Sequence, residues 1–133
     1  PNFSSRRYWK KVLQRQKRDS FGVVQVIETS QRSCAGFVTV LPSSQHDMYE
    51  LMYWLGVAFW GRGWATKAVE QSVRVLRNQG YRGRVAADVA FINAASRRVL
   101  EKNGFVLAAV ESGVPLCSGE LSLASQYILN KNG

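Results

Sequence analysis

The spacing of apolar positions changes along this chain, and each change predicts an element. Phe21–Ile27 alternates loosely and is rich in valine, which predicts a strand. Thr29–Ser33 is polar and reads as a turn. Cys34–Leu41 follows as a second strand ended by Pro42, so the two form a hairpin. A polar loop over Pro42–Asp47 leads to a third strand, Tyr49–Leu55, heavy in aromatics. Beyond Gly61 the period becomes helical: Ala65, Ala68, Val69, Val73 and Leu76 recur on one face, and Gly80 sits where a left-handed cap ends a helix. Val85–Ile92 reads as a fourth strand. Asn93 is a good N-cap for a short helix to Lys102, which Asn103–Gly104 stops. Phe105–Val110 is a fifth strand, Glu111–Ser122 is turn-rich, and Gln126–Leu129 is a last strand. Ahead of all these, Tyr8, Trp9, Val12 and Leu13 form an apolar stripe at helical spacing, predicting a basic amphipathic helix over residues 1–20. The order is helix, three strands, helix, strand, helix, two strands. This predicts a single α/β (α+β) domain over residues 1–133, with a mixed sheet flanked by helices rather than a doubly wound parallel sheet.

Composition changes this picture little. Hydrophobic residues make up 46% and charged residues 20% of the 133, which excludes a disordered chain. The longest apolar run, around Leu51 to Trp60, is broken by Gly56 and is too short to span a membrane. One histidine, His46, and two scattered cysteines, Cys34 and Cys117, offer no metal-ligand spacing, so no metal is expected. The cysteines read as buried or half-buried thiols in a reducing cytoplasm.

Charge matters more. The net charge is +9, yet Arg6, Arg7, Lys10, Lys11, Arg15, Lys17 and Arg18 all precede the first acid, Asp19, which leaves only +2 for the rest. The basic segment reads as the solvated face of a packed helix, or as a surface for RNA or an acidic partner.

The most informative stretch is the turn Gly61-Arg62-Gly63-Trp64-Ala65-Thr66 between the third strand and the long helix. A glycine turn entering a helix aims several backbone N–H groups one way, and the helix dipole adds positive potential, so an anion such as a pyrophosphate would bind. Arg62 and Thr66 would add side-chain donors. Neither the P-loop pattern nor the dinucleotide fingerprint is matched, Thr66 standing where the latter needs Gly or Ala. Taken alone, the turn would equally serve as a structural helix start.

A second motif narrows the choice. Tyr53-Trp54-Leu55-Gly56 with Trp60-Gly61-Arg62-Gly63-Trp64-Ala65-Thr66, followed by Asn93-x-x-Ser96-x-Arg98-Val99-Leu100-Glu101-Lys102-x-Gly104-Phe105, resembles the GNAT superfamily of N-acetyltransferases. Within it, the chain looks most like the branch that acetylates ribosomal-protein N-termini (RimJ/RimL-like). The resemblance covers about Phe21 to Leu129. It implies the GNAT acyltransferase fold, with the family's first strand and helix absent ahead of Pro1.

The resemblance also implies roles. Backbone amides of Gly61, Arg62, Gly63, Trp64, Ala65 and Thr66 would hold the coenzyme A pyrophosphate. Gly63 and Ala65 match the family pattern, while Trp60 replaces its usual Gln or Arg. The strand leading to the turn would splay from its neighbour and admit pantetheine. The Leu55 amide would face the thioester carbonyl, with Val57 close by, Asn93 on the pantetheine arm and Lys102 near the adenosine-phosphate end. The family's proton-donating tyrosine falls at Leu100, which closes that route. Ser96 is the substitute acid, or a first-turn serine bonded to the backbone. Glu50 is the candidate base that takes the amine proton, or an exposed strand-edge carboxylate. Asp88 is a weaker candidate on the next strand.

The function implied is acetyl transfer from acetyl-CoA to a primary amine, on a protein N-terminus or a small molecule, by direct attack in a ternary complex. A non-catalytic coenzyme A-binding module is the alternative, as is a ribosome- or RNA-associated module using the basic segment. The expected setting is cytoplasmic, with no membrane partner; the acceptor and any self-association stay open.

Overall fold

In the computed structural model, residues 7–11, 21–45, 47–90, 92–115 and 121–130 are described. The chain runs β1 (Arg7–Lys11), β2 (Val23–Glu28), β3 (Cys34–Pro42), β4 (Met48–Leu55), a 3-10 turn at Val57–Phe59, α1 (Trp64–Gln79), β5 (Arg84–Ala90), α2 (Ala94–Lys102), β6 (Val106–Pro115) and β7 (Leu121–Leu129). All seven strands form one sheet in the order β1-β2-β3-β4-β5-β7-β6. Every pairing is antiparallel except β4 with β5, which α1 connects in the manner of a crossover. The mixed, mostly antiparallel sheet expected from the sequence is therefore present.

Alternation assigns the two faces. Val23 and Ile27 of β2, Val38 and Val40 of β3, and Tyr49, Leu51 and Leu55 of β4 pack with Trp64, Ala68, Val69 and Leu76 of α1 in one buried core. Leu100 of α2 and Phe105 join them. The helical spacing read from the sequence thus marks the buried stripe of α1. Gly80 ends that helix in the left-handed region at φ 114°, as expected. The opposite face carries Met48, Ala86 and Ile128 in a small cluster. Phe37 and Trp54 also lie there, paired across β3 and β4 and stacked with ring centroids 6.2 Å apart.

Three expectations need correction. Residues 7–11 form a strand, not part of a helix, pairing antiparallel with β2 from Arg7↔Ile27 to Lys11↔Val23. An unpaired β2 edge offers backbone hydrogen bonds that a local helical stripe cannot reveal, and Tyr and Trp favour strands. The rest of the expected helix, at 1–6 and 12–20, lies outside the described residues, as do His46 and Cys117. Secondly, much of the expected turn-rich segment Glu111–Ser122 is strand: β6 runs to Pro115 and β7 begins at Leu121. Register shifts at Leu107/Ala109 and Glu111/Val114 break the alternation there, so the pattern was not readable as a strand. Thirdly, Cys34 is an exposed free thiol rather than a buried or half-buried one.

The sheet's central irregularity creates a site. β4 pairs with β5 only from Met48↔Arg84 to Glu50↔Ala86. Beyond that, β4 continues to Leu55 on β3, and β5 continues to Ala90 on β7. The two strands diverge, leaving a wedge across which the described residues form no further ladder.

Candidate functional site

A cavity of about 410 Å³ opens at this wedge. Leu55, the Gly61–Thr66 turn and α2 enclose it. Of the residues expected at a coenzyme A site, Leu55, Gly61, Gly63, Trp64, Ala65, Thr66, Asn93, Ser96 and Lys102 line it together. Residues far apart in sequence are thus brought into one cleft.

The turn has the geometry its glycines require. Gly61 and Gly63 sit at φ 76° and 77°, where a side chain is strained, and a Cβ added to either would project into open space. Gly63 is the N-cap of α1 and has no side chain with which to cap it; no acid occupies the first turn. No side chain caps this start of α1, which presents the dipole's positive end. Arg62 does not line the cleft. Its guanidinium lies over the Phe59 and Trp64 rings, 5.9 and 5.7 Å from their centroids.

The other wall is α2. Asn93 caps it as expected, its Oδ1 accepting from the Ser96 amide at 3.1 Å. Asn103 Nδ2 donates to the Thr66 and Val99 carbonyls at 3.2 and 3.0 Å, fixing the end of α2 against the first turn of α1. Tyr127 donates to Glu101 Oε2 at 2.9 Å and holds α2 to β7. No carboxylate lines the cleft among the described residues, whereas Arg98 and Lys102 do, four residues apart on one face of α2. The cleft is therefore suited to an anionic ligand. Among the described residues no group of acids, cysteines and histidines could hold a metal ion, and no helix is long and apolar enough to cross a membrane.

Two expected residues lie elsewhere. Val57 stands 72% exposed on the 3-10 turn and does not line the cleft. Glu50 is exposed at the last β4–β5 pair, and alternation puts it on the open face of the sheet, away from Tyr53 and the cavity. On that same face Asp88 is held above the usual carboxylate range, first by burial and then by nearby Glu111, with a Gln126 hydrogen bond opposing.

Six lining residues had no expected role at the site: Ala95 and Val99 on α2, and Tyr53, Trp54, Trp60 and Arg98, which the motifs contain. Tyr53 faces the cavity because it alternates with Leu51 and Leu55, and its hydroxyl donates to Ser96 Oγ at 2.9 Å. Burial raises its pKa, and the Ser96 bond offsets part of the rise. Trp60, the departure from the family pattern, donates Nε1–H to the Leu55 carbonyl at 2.8 Å and closes the turn onto the strand. Trp54 also lines the cavity, and Arg98, part of the second motif, stands one helical turn before Lys102.

Comparison with known proteins agrees with this geometry. Residues 2–106 match the family model described as Acetyltransferase (GNAT) domain. No curated protein matches the sequence. Solved structures share the fold at low identity. A ribosomal-protein-S5-alanine acetyltransferase from Vibrio fischeri superposes with a TM-score of 0.74 at 17% identity, over 84% of this chain and 62% of its own. An acetyltransferase from Salmonella typhimurium, solved with its cofactor acetyl-CoA, gives 0.73 at 21% identity over 82% and 64%. A GNAT superfamily phosphinothricin acetyltransferase from Sinorhizobium meliloti, in complex with acetyl-CoA, gives 0.74 at 13% identity over 83% and 61%. This chain spans less than two thirds of each.

Proposed function

The chain belongs to the GNAT acetyltransferase family, and from that premise we propose that it transfers an acetyl group from acetyl-CoA to a primary amine by direct attack in a ternary complex. The observation that carries this reading is the wedge between β4 and β5 beside an uncapped helix start. The wedge offers a strand's unpaired backbone to the pantetheine amides. The open glycines Gly61 and Gly63 leave room for a diphosphate against the first-turn amides of α1, and Arg98 and Lys102 add positive charge. Two structures of this fold hold acetyl-CoA, in line with that assignment.

The roles follow from position. In this proposal the Leu55 amide, at the end of the wedge, stabilises the oxyanion that develops as the amine attacks. Ser96 protonates the departing thiolate from the first turn of α2. Glu50 receives the amine proton from the open face, directly or through water, at the point where the strands part. An amine arriving from that face meets the thioester from the side opposite the cleft. The exposed thiol of Cys34 suits a reducing, cytoplasmic setting.

The acceptor is a protein N-terminus or a small amine. Fold likeness reaches enzymes of both kinds, so ribosomal-protein N-terminal acetylation is the narrower form of the proposal. Calorimetry with acetyl-CoA, followed by thiol release with peptide N-termini and small amines, tests it. Binding with turnover is expected. Binding without turnover on any amine would favour a non-catalytic coenzyme A module, and no binding would remove the reading. Glu50→Gln is expected to lower kcat roughly 100-fold while acetyl-CoA affinity holds.

A further inference from the structure

Among the described residues lining the cleft Tyr53 is the only phenol, and its hydroxyl reaches Ser96 across the gap between β4 and α2. The donor–acceptor distance to Ser96 Oγ is 2.9 Å, with the Ser96 carbonyl at 3.4 Å as a weaker second acceptor. A serine hydroxyl carries one proton and two lone pairs; accepting from Tyr53 leaves its own proton to be donated elsewhere. Ser96 lines the same cavity as Leu55, to which the proposal above assigns the thioester. Leu100, one helical turn beyond Ser96, is apolar and buried and has no proton to give.

We infer that Tyr53 is the proton reservoir behind Ser96, positioning and recharging that hydroxyl as the thiolate leaves. The inference rests on the acetyltransferase reading above. In the step, the amine nitrogen bonds to the thioester carbon and the carbon–sulfur bond breaks, its electron pair staying on sulfur. Ser96 Oγ–H passes its proton to that sulfur, and Tyr53 Oη–H passes its proton to Ser96 Oγ. The phenolate then recovers, through water, the proton that the attacking amine has lost. Products are the N-acetylamine and the free thiol, with Tyr53 and Ser96 unchanged. Burial keeps the Tyr53 phenol protonated through neutral pH, as a donor requires.

The test is a double-mutant cycle on the full chain, with thiol release and acetyl-CoA calorimetry as readouts. Tyr53→Phe, which keeps the ring and removes the proton, is expected to lower kcat at least about 10-fold with acetyl-CoA Kd and amine KM unchanged. Ser96→Ala is expected to do the same, and the double variant to be no slower than the slower single one. Wild-type kcat is expected to fall at alkaline pH as Tyr53 ionises, above the ordinary tyrosine value, and Tyr53→Phe to lack that limb. Full turnover in Tyr53→Phe overturns the relay while leaving the acetyltransferase reading intact. So do losses that multiply in the double variant, or a loss that appears in acetyl-CoA affinity instead of kcat. Should Tyr53→Phe fail to fold, a wild-type rate that stays flat through tyrosine ionisation overturns it equally. No thiol release from wild type with any amine brings down the reading and the relay together.

Discussion

Gly63 combines two demands that no other residue meets. Its φ of 77° lies in the left-handed region, and as the N-cap of α1 it stands where a diphosphate would approach the first-turn amides. A Cβ there meets no protein atom, so its cost to folding is conformational rather than steric, about 1 kcal/mol. Gly63→Ala is therefore expected to lower Tm by only a few degrees, measured by thermal unfolding. The methyl group would occupy the approach to the amides, so acetyl-CoA Kd is expected to rise at least about 10-fold in calorimetry, a change of about 1.4 kcal/mol. Unchanged affinity alongside a lowered Tm would mean that no anion sits on this turn. Trp60 carries a related lesson. It replaces the family's Gln or Arg and finds a use of its own, its indole N–H satisfying the Leu55 carbonyl next to the wedge.

The helices work as docked elements, each fixed by polar contacts within an apolar interface. On α1, Ser72 is fully buried and donates to Oε1 of Gln25, itself buried on β2. This pair crosses the core between helix and sheet, where an unsatisfied amide oxygen is expensive. Ser72→Ala strands that oxygen and is expected to cost about 1–3 kcal/mol in urea unfolding, more than the removal of one surface hydroxyl. A cost under about 0.5 kcal/mol would show that the pair is replaced by water. On α2, the contacts of Asn103 with α1 and Tyr127 with Glu101 fix the helix that presents Ser96 and Lys102. Both helices therefore reach the cleft from positions fixed by contacts outside it.

Across the whole molecule, the sheet stays closed on one side of the wedge and open on the other. The closed end is secured by Tyr81, whose ring packs on Tyr49 of β4 with centroids 4.2 Å apart. Its hydroxyl donates to the Asp47 and Arg84 carbonyls at 3.1 and 2.8 Å, bridging the starts of β4 and β5. Burial, then the nearby Asp47 and Tyr49, push its pKa from 10.0 up to about 12. The folded state thus holds this proton more tightly than the unfolded one. Its contribution is complete below pH 10 and is lost as pH rises from 10 to about 12. Denaturation midpoints are accordingly expected to fall as pH rises from 10 to about 12, and Tyr81→Phe to be less stable at neutral pH but flatter across that window. Equal pH slopes in the two proteins would place the alkaline transition elsewhere.

Features written within a few residues were legible without coordinates. The helical stripe of α1, the Asn93 cap, the Gly80 stop and the glycine turn depend on local periodicity and on backbone chirality, which a short window contains. So did the family motif and most of the cleft's lining, because the turn and the start of α2 are contiguous segments. What the window could not hold were pairings between distant segments. Strand β1 exists because β2 has an edge to pair with, and the bulged β6 hides its alternation. The face taken by Glu50, the point where β4 leaves β5, and the meeting of Tyr53 with Ser96, 43 residues apart, follow from register and helix docking. Those depend on the simultaneous packing of the entire sheet, so tertiary structure alone decided them.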